Sequence, residues 1–435
     1  MASEVKYVEL SSLVSEKPRN GLYKGKEYQG KGFRWIKMGE VFKNDFFLNQ
    51  KTELLEVNDS EVERFSCKSG DLLFGRTSLT LEGVGDCLLV GEVTDKPIFE
   101  SNLFRVRFDR KKADPLFYYY YFKSGYGKQL IQKIAKQTAA TSITSTDLLN
   151  QPVPFYLLSI QNKISRLINQ YDQKIELNRQ MNETLEAMAQ TLFKSWFVDF
   201  DPVIDNALAA GNPIPDALSA RAEQRQALPK SDTDNQAIQA LFPDAFEFTE
   251  EMGWIPRGWE SVRLNELLEV KYGKDHKKLE EGNIPVYGSG GLMRLVNKSL
   301  YIGESILIPR KGTLSNLMFV DEEFWTVDTM FFSIPKINHV AKYLFNQLKL
   351  LNLASMNVGS AVPSMTTKVL NDLNILKPKN NVLEEFDRLV TDFFNREKAL
   401  NEENQTLTKL RDTLLPKLLS GELRITDAAA ILEEA

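Results

Sequence analysis

AATSITSTDLLNQPVPFYLLSIQNKISRLINQYDQKIELNRQMNETLEAMAQTL, Ala139 to Leu192, returns 222 positions later without a gap as AVPSMTTKVLNDLNILKPKNNVLEEFDRLVTDFFNREKALNEENQTLTKLRDTL, Ala361 to Leu414. Eleven of the 54 aligned positions are identical, among them Ala139/Ala361, Ser142/Ser364, Thr144/Thr366, Arg166/Arg388, Asn182/Asn404 and Leu192/Leu414. Average residue usage gives roughly three or four. The pattern repeats as well as the letters. Ile164, Tyr171, Leu185 and Leu192 recur every seven residues with Asn178 among them, and Leu167, Met181 and Met188 follow three positions later. In the second copy Phe386, Phe393, Leu400, Leu407 and Leu414 take the same places, with Leu389 and Leu410 beside them. An apolar stripe kept for about four heptads predicts a long helix with a coiled-coil seam in each copy.

Ser159 and Asn381 are expected N-caps, and Glu384 completes a capping-box spacing with Asn381. Proline is expected to end the helices, near Asp199 to Pro202 and at Pro416. About 35 residues make a rod of about 52 Å. Two helices with matching seams are suited to pairing antiparallel about a pseudo-two-fold axis.

Ahead of each helix lies a block with strand-like runs: GDLLFGR (Gly70 to Arg76) and PIFESNLFRVRF in the first, GESILIPRKG (Gly303 to Gly312) in the second. ESNLFRVRF and TVDTMFFSI each precede an aromatic-rich segment, PLFYYYYF or AKYLFNQL. The fold class is therefore α+β, with two tandem domains each followed by a long helix. The boundaries read as a first domain over 1–155, its helix over 156–200, an acidic surface connection over 201–252, a second domain over 253–378, its helix over 379–425 and a tail over 426–435.

The 435 residues carry a net charge of -5, placed unevenly. Residues 198–252 hold 11 acidic against 3 basic side chains, whereas 1–155 hold 23 basic against 20 acidic and 253–378 hold 15 against 12. Both blocks are thus mildly basic, which permits phosphate contact without diagnosing it. No run of about 18 apolar residues occurs and MASEVKYVEL is not a secretory leader, so a cytoplasmic chain without membrane contact is expected.

Catalytic machinery is not expected. Cys67, Cys87, His276 and His339 are too few and too scattered for a metal cluster, and both cysteines read as reduced core residues. There is no GxxxxGK[ST] loop, and YGSGG (Tyr287 to Gly291) follows a proline-containing turn, a poor phosphate loop. Asn212-Pro213 and Asp201-Pro202 lack the Pro-aromatic pair of an adenine methyltransferase loop. What remains suits recognition. Arg76, Thr77 and Ser78 follow a predicted strand, Arg310 and Lys311 follow its counterpart, and Lys274, Lys277 and Lys278 crowd a turn near Gly273. Arginine can bond guanine bidentately, while Lys, Ser and Thr can hold phosphates. Trp35, Trp254, Trp259 and Tyr118 to Tyr121 read as packing residues.

IPVYGSGGLMRLVNKSLYIGESILIPRKG (Ile284 to Gly312), SWFVDFDPV (Ser195 to Val203), FPDAFE followed by GWIPRGWESVRL (Phe242 to Leu264) and LLPKLLSGELRI (Leu414 to Ile425) resemble the specificity subunit of type I restriction-modification enzymes. The resemblance covers nearly the whole chain. It implies two target recognition domains that each read one half of a split, asymmetric site in double-stranded DNA. It further implies paired helices that act as a ruler and bind two methyltransferase subunits, with restriction subunits as further partners. S-adenosylmethionine would then belong to those partners and not to this chain. The turn RTSLTLEGVGD (Arg76 to Asp86) departs from the second domain, which leaves the bases read open. A coiled-coil scaffold that gathers proteins without touching DNA is the alternative reading.

Overall fold

The computed structural model describes residues 5–137, 140–227, 236–351, 353–356 and 364–425, so Ala139, Ala361 and the tail 426–435 lie outside the described residues. The chain forms two compact units. One comprises Met1–Asn178 with Asn401–Ala435, the other Arg179–Leu400. The cuts at Asn178 and Leu400 are themselves 222 residues apart. Each unit holds one α+β domain and a half of each long helix.

In the first unit a five-stranded sheet runs in the order Arg19–Asn20, Leu103–Arg107, Asp71–Gly75, Cys87–Val90, Phe46–Phe47. Its neighbours are antiparallel except the last pair, which is parallel. Side chains alternate across the strand. Leu72 and Phe74 face one core and Leu73 the other. Against the first face lies the helix Pro115–Lys123, opened by Asp114, whose carboxylate accepts from the Leu116 N–H. Its four tyrosines are buried, and three have their hydroxyls engaged: Tyr118 donates to the Pro154 carbonyl (2.9 Å), Tyr119 to Asp45 (2.8 Å) and Tyr120 to Asp172 (2.7 Å). Burying a phenol without such a partner would be costly.

The second unit repeats this plan. Its six-stranded sheet runs Leu268–Tyr272, Met330–Pro335, Tyr301–Pro309, Met318–Thr326, Ile284–Gly288, Gly291–Val296. The first five strands match the first sheet in order and direction, including the parallel pair, here Val286 beside Trp325. The sixth strand is an added hairpin edge. A helix, Ala341–Leu350, again follows the second strand of that order. In both domains an opening strand pairs antiparallel with the strand leading into the long helix: Lys6–Glu9 with Pro152–Phe155, and Glu260–Arg263 with Asn374–Lys377. A short helix precedes each of these lead-in strands, capped by Thr144 onto the Asp147 N–H and by Thr366 onto the Val369 N–H. The identity of these threonines in the repeat thus reflects a shared cap.

The long helices span Leu158–Phe197 and Asn380–Leu419, 40 residues each, or about 60 Å. Their caps differ from expectation. The Leu157 and Lys379 carbonyls accept the first helical bonds, which leaves Ser159 and Asn381 inside the helix. The strand before each helix ends only two residues earlier, so the turn must start at once. Pro416 does not stop the second helix. Only its own missing N–H is lost, and the Ser420 N–H still reaches the Pro416 carbonyl at 2.9 Å.

Within each unit the helix halves run antiparallel. In the first, Tyr156 bonds the Leu418 carbonyl, Asp172 meets Arg411 at 2.7 Å and Asn178 meets Asn404 at 3.0 Å. In the second, Phe386 touches Phe193, Trp196 and Phe197. Ile164, Tyr171, Leu400 and Leu414 are buried as the heptads require, and Leu167, Leu192, Leu389, Phe393 and Leu407 pack partly buried against the cores, with Leu185 half-buried. The alternate seam position falls four residues after the first, not three. Ile168, Ile175, Ala189 and Trp196 are buried there, whereas Met181 (43% exposed) and Met188 (48%) face outward. Leu410 faces outward too.

In its described parts, 201–227 and 236–252, the acidic stretch is not a surface connection but joins a core. Asp201–Ala210 is a helix whose Val203, Ile204 and Ala207 are fully buried, and Phe242 and Phe246 join the same core as Trp196 and Trp259. Two of its aspartates are paired locally: Arg221 clamps Asp201 through two 2.7 Å bonds and Arg225 pairs with Asp205. Trp35 and Trp259 are core residues as expected, but Trp254 is exposed and packs edge-on against Phe248.

Candidate nucleic-acid interface

In the second domain the strand Tyr301–Pro309 delivers Arg310 to the end of the sheet. The Arg310 N–H donates to the Thr329 carbonyl (2.8 Å), its Nη1 donates to the Asp328 carbonyl (3.0 Å), and its own carbonyl accepts from the Met365 N–H (2.9 Å). The guanidinium also lies 5.4 Å from the centre of the Tyr272 ring. Lys311 is exposed and bridges antiparallel to Ser364. Lys274 joins them at the same turn, because the Gly273 N–H reaches the Met330 carbonyl and the Lys274 N–H the Thr326 carbonyl. A side chain on residue 273 would meet the Val327 carbonyl at 2.1 Å, so glycine is required for this approach. Lys277 and Lys278 are exposed farther along the same segment, without a described contact to Arg310. The Tyr287–Gly291 turn borders the site: the Tyr287 carbonyl accepts from the Val327 N–H and Asn316 donates to the Ser289 carbonyl. Leu292 and Met293 are exposed just beyond it.

In the first domain Arg76 follows the strand Asp71–Gly75. Its N–H donates to the Asn102 carbonyl (2.8 Å), Nη1 to the Ser101 carbonyl (2.9 Å), and its carbonyl accepts from the Ile143 N–H (2.9 Å). Thr77 pairs with Ser142 and Ser78 with Thr141. The Ser78 hydroxyl accepts from the Thr80 N–H, turning the chain so that Leu79 is 94% exposed. Arg76 to Ser78 and Arg310 to Lys311 therefore occupy the same place in two domains whose surrounding loops differ.

Sequence reasoning missed a further basic segment. KPRNGLYKGKEYQGKGFR, Lys17 to Arg34, holds six basic residues against one acidic, interleaved with Tyr23 and Tyr28. Such interleaving is a mark of nucleic-acid contact and was legible in the sequence. The Gly21 and Leu22 N–H groups bond the Leu103 and Phe99 carbonyls, so this segment and Arg76 flank one turn, 100–102. Tyr23 is 79% exposed. Lys24, Lys31 and Arg34 are paired with Glu61, Glu56 and Asp95. Lys17, Arg19 and Lys26 are exposed with no carboxylate partner among the described residues.

Burial pushes the Cys67 and Cys87 thiols up, away from the thiolate form. Among the described residues no group of three or more His, Cys, Asp or Glu could hold a metal ion, and no helix is long and apolar enough to cross a membrane.

Residues 2–187 and 256–408 match the family described as the type I restriction modification DNA specificity domain. The chain is 27% identical over 440 residues to the type I restriction enzyme HindI specificity subunit of Haemophilus influenzae, covering 89% of this chain and 94% of that protein. It is 23% identical to the MjaIX specificity subunit of Methanocaldococcus jannaschii, covering 92% and 89%. In fold it is similar to the type I restriction-modification S subunit of M. genitalium, with a TM-score of 0.55 at 17% identity over 95% of this chain and 96% of that one.

Proposed function

The chain belongs to the type I restriction-modification DNA specificity family, and we propose that it reads a split DNA site with its two domains while partner subunits do the chemistry. The observation that carries this reading is the matched placement of Arg76 and Arg310 at the ends of equivalent sheets, each among unlike loops. A common scaffold with different surroundings suits two half-sites of different sequence. Arg76, Thr77 and Ser78 with the segment Lys17 to Arg34 form the first DNA-facing surface. Lys274, Arg310 and Lys311, with Lys277 and Lys278 alongside, form the second. In this reading the long helices set the gap between the two half-sites.

Two methyltransferase subunits dock on the outward faces of the helices. Met188 and Leu410 support this: they are 222 residues apart, and both turn away from the seam, 48% and 37% exposed. Exposed methionine and leucine on a helix are apolar area that a partner can cover. S-adenosylmethionine binds to those partners, restriction subunits join the same assembly, and the whole works in the cytoplasm, where the DNA is. The test is retention of duplex DNA by the purified assembly across a salt series. A sequence-dependent affinity that falls linearly with log salt is expected. Equal binding of all duplexes, or none, overturns the proposal in favour of a protein scaffold.

A further inference from the structure

We propose that Arg76 and Arg310 are a matched pair of phosphate clamps, which seat each domain on the DNA backbone and leave the choice of bases to the loops around them. The inference rests on the DNA-reading function above and divides its labour. Four contacts coincide in the two domains. Each arginine N–H is bonded to the residue just before the next strand, Asn102 or Thr329. Each Nη1 is bonded to the carbonyl one residue earlier, Ser101 or Asp328. Each arginine carbonyl accepts from Ile143 or Met365, which are 222 residues apart. The residue after each arginine lies opposite Ser142 or Ser364, again 222 apart and identical.

The hydrogen-bond partner that aims each guanidinium is a backbone carbonyl at the sheet end, that of Ser101 or Asp328. A backbone carbonyl is present whichever residue forms the turn, so this aim does not depend on the side chain at 101 or 328. Neither arginine is ion-paired with a carboxylate among the described residues, whereas Arg34, Arg105, Arg107, Arg221 and Arg225 are. A cation held the same way in two domains that differ elsewhere is suited to what both half-sites share. Phosphodiesters are the same at every base step; base edges are not. The variable surroundings are where discrimination belongs: Tyr23, Lys26 and Leu79 in the first domain, Lys274 and the hairpin bearing Leu292 and Met293 in the second. Tyr272 under Arg310 adds a flat support for a cation.

The experiment uses the full chain assembled with its partners. Arg76→Ala, Arg310→Ala and the corresponding lysine and glutamine variants are titrated with a duplex carrying the methylated motif and with a scrambled duplex, over a salt series. Modified bases are mapped in cells expressing each. The clamp predicts that each alanine variant weakens both duplexes by the same factor, about tenfold. It also predicts a salt slope lower by about one per arginine and an unchanged motif. Lysine keeps the charge and restores the slope. Glutamine keeps a donor for the turn carbonyl without charge, so a folded glutamine variant that loses slope supports the clamp even if alanine unfolds the domain. A motif that becomes degenerate at one base, with lysine failing to restore it, makes the arginine a base reader and overturns the proposal. Unchanged affinity and slope overturn it as well. A wild-type assembly that binds both duplexes equally sinks sequence reading instead, and the salt slopes still decide the clamp.

Discussion

Adding one heptad to both long helices, after Asn182 and after Asn404, should lengthen the gap in the recognised DNA site. Seven residues turn a helix through about 700°, some 20° short of two full turns, so the seam that holds Ile164, Ile168, Tyr171 and Ile175 keeps its face. Four residues turn it about 40° past one turn and strain the same seam. At 1.5 Å per residue a heptad adds about 10.5 Å, which is about three base pairs at 3.4 Å each. Four residues add about 6 Å, or about two base pairs. Both helices must be extended, because within each unit their halves run antiparallel and side-chain pairs such as Asp172 with Arg411 fix the register. The assay is genome-wide mapping of modified bases in cells carrying the altered chain. The two half-sites should keep their sequences while the gap grows by about three. An unchanged gap in a folded, active variant refutes the idea that the helices set the spacing.

Three further outcomes follow from the packing. Phe386, fully buried among Phe193, Trp196 and Phe197, should cost about 3–5 kcal/mol when cut to alanine, read by urea unfolding; a loss below about 1 kcal/mol contradicts the packing. Asn178 donates to Glu403 (2.8 Å) and Asn404 (3.0 Å) in the buried seam, so Asn178→Leu should destabilise by about 1–3 kcal/mol. Adding Asn404→Leu should return stability but loosen register, as a polar seam residue fixes alignment at a cost; a double variant no more stable than the single one counts against this. Burial pushes the Asp201 carboxyl up, but the bonds from Arg221 and Ser195 outweigh it and hold its pKa below the ordinary 3.8. The stability it supplies is present above that value and lost as pH falls through the lower, folded one. Asp201→Asn should flatten the acid limb of the unfolding profile, and an unaltered acid midpoint would count against the pairing.

The repeat and the helices were legible because a heptad stripe is local: Ile164 and Tyr171 declare their face to any reader of the chain. The second seam position was not, because Met181 and Met188 are apolar by type yet face outward, while polar Asn182, Asn404 and Arg411 take the inner spacing. Composition misled in 201–252 for a related reason. Eleven acidic residues across 198–252 hide the short apolar set Val203, Ile204 and Ala207, and only the fold shows Arg221 and Arg225 paired with Asp201 and Asp205. Sheet order depends on pairings between distant residues, such as Phe46 with Leu89, that no local pattern announces. The equivalence of Arg76 and Arg310 was half visible in GDLLFGR and GESILIPRKG; their shared anchoring to turn carbonyls required the structure.

Mapping modified bases across the genome of cells with and without this chain tests the central claim most directly. The account predicts one asymmetric motif in two parts, separated by a fixed gap, present only with the chain. Replacing the described surface of one domain, Arg76 to Ser78 with Lys17 to Arg34, should alter one half of the motif and leave the other intact. A motif that persists without the chain, or that changes in both halves at once, would contradict the assignment of one reading surface to each domain.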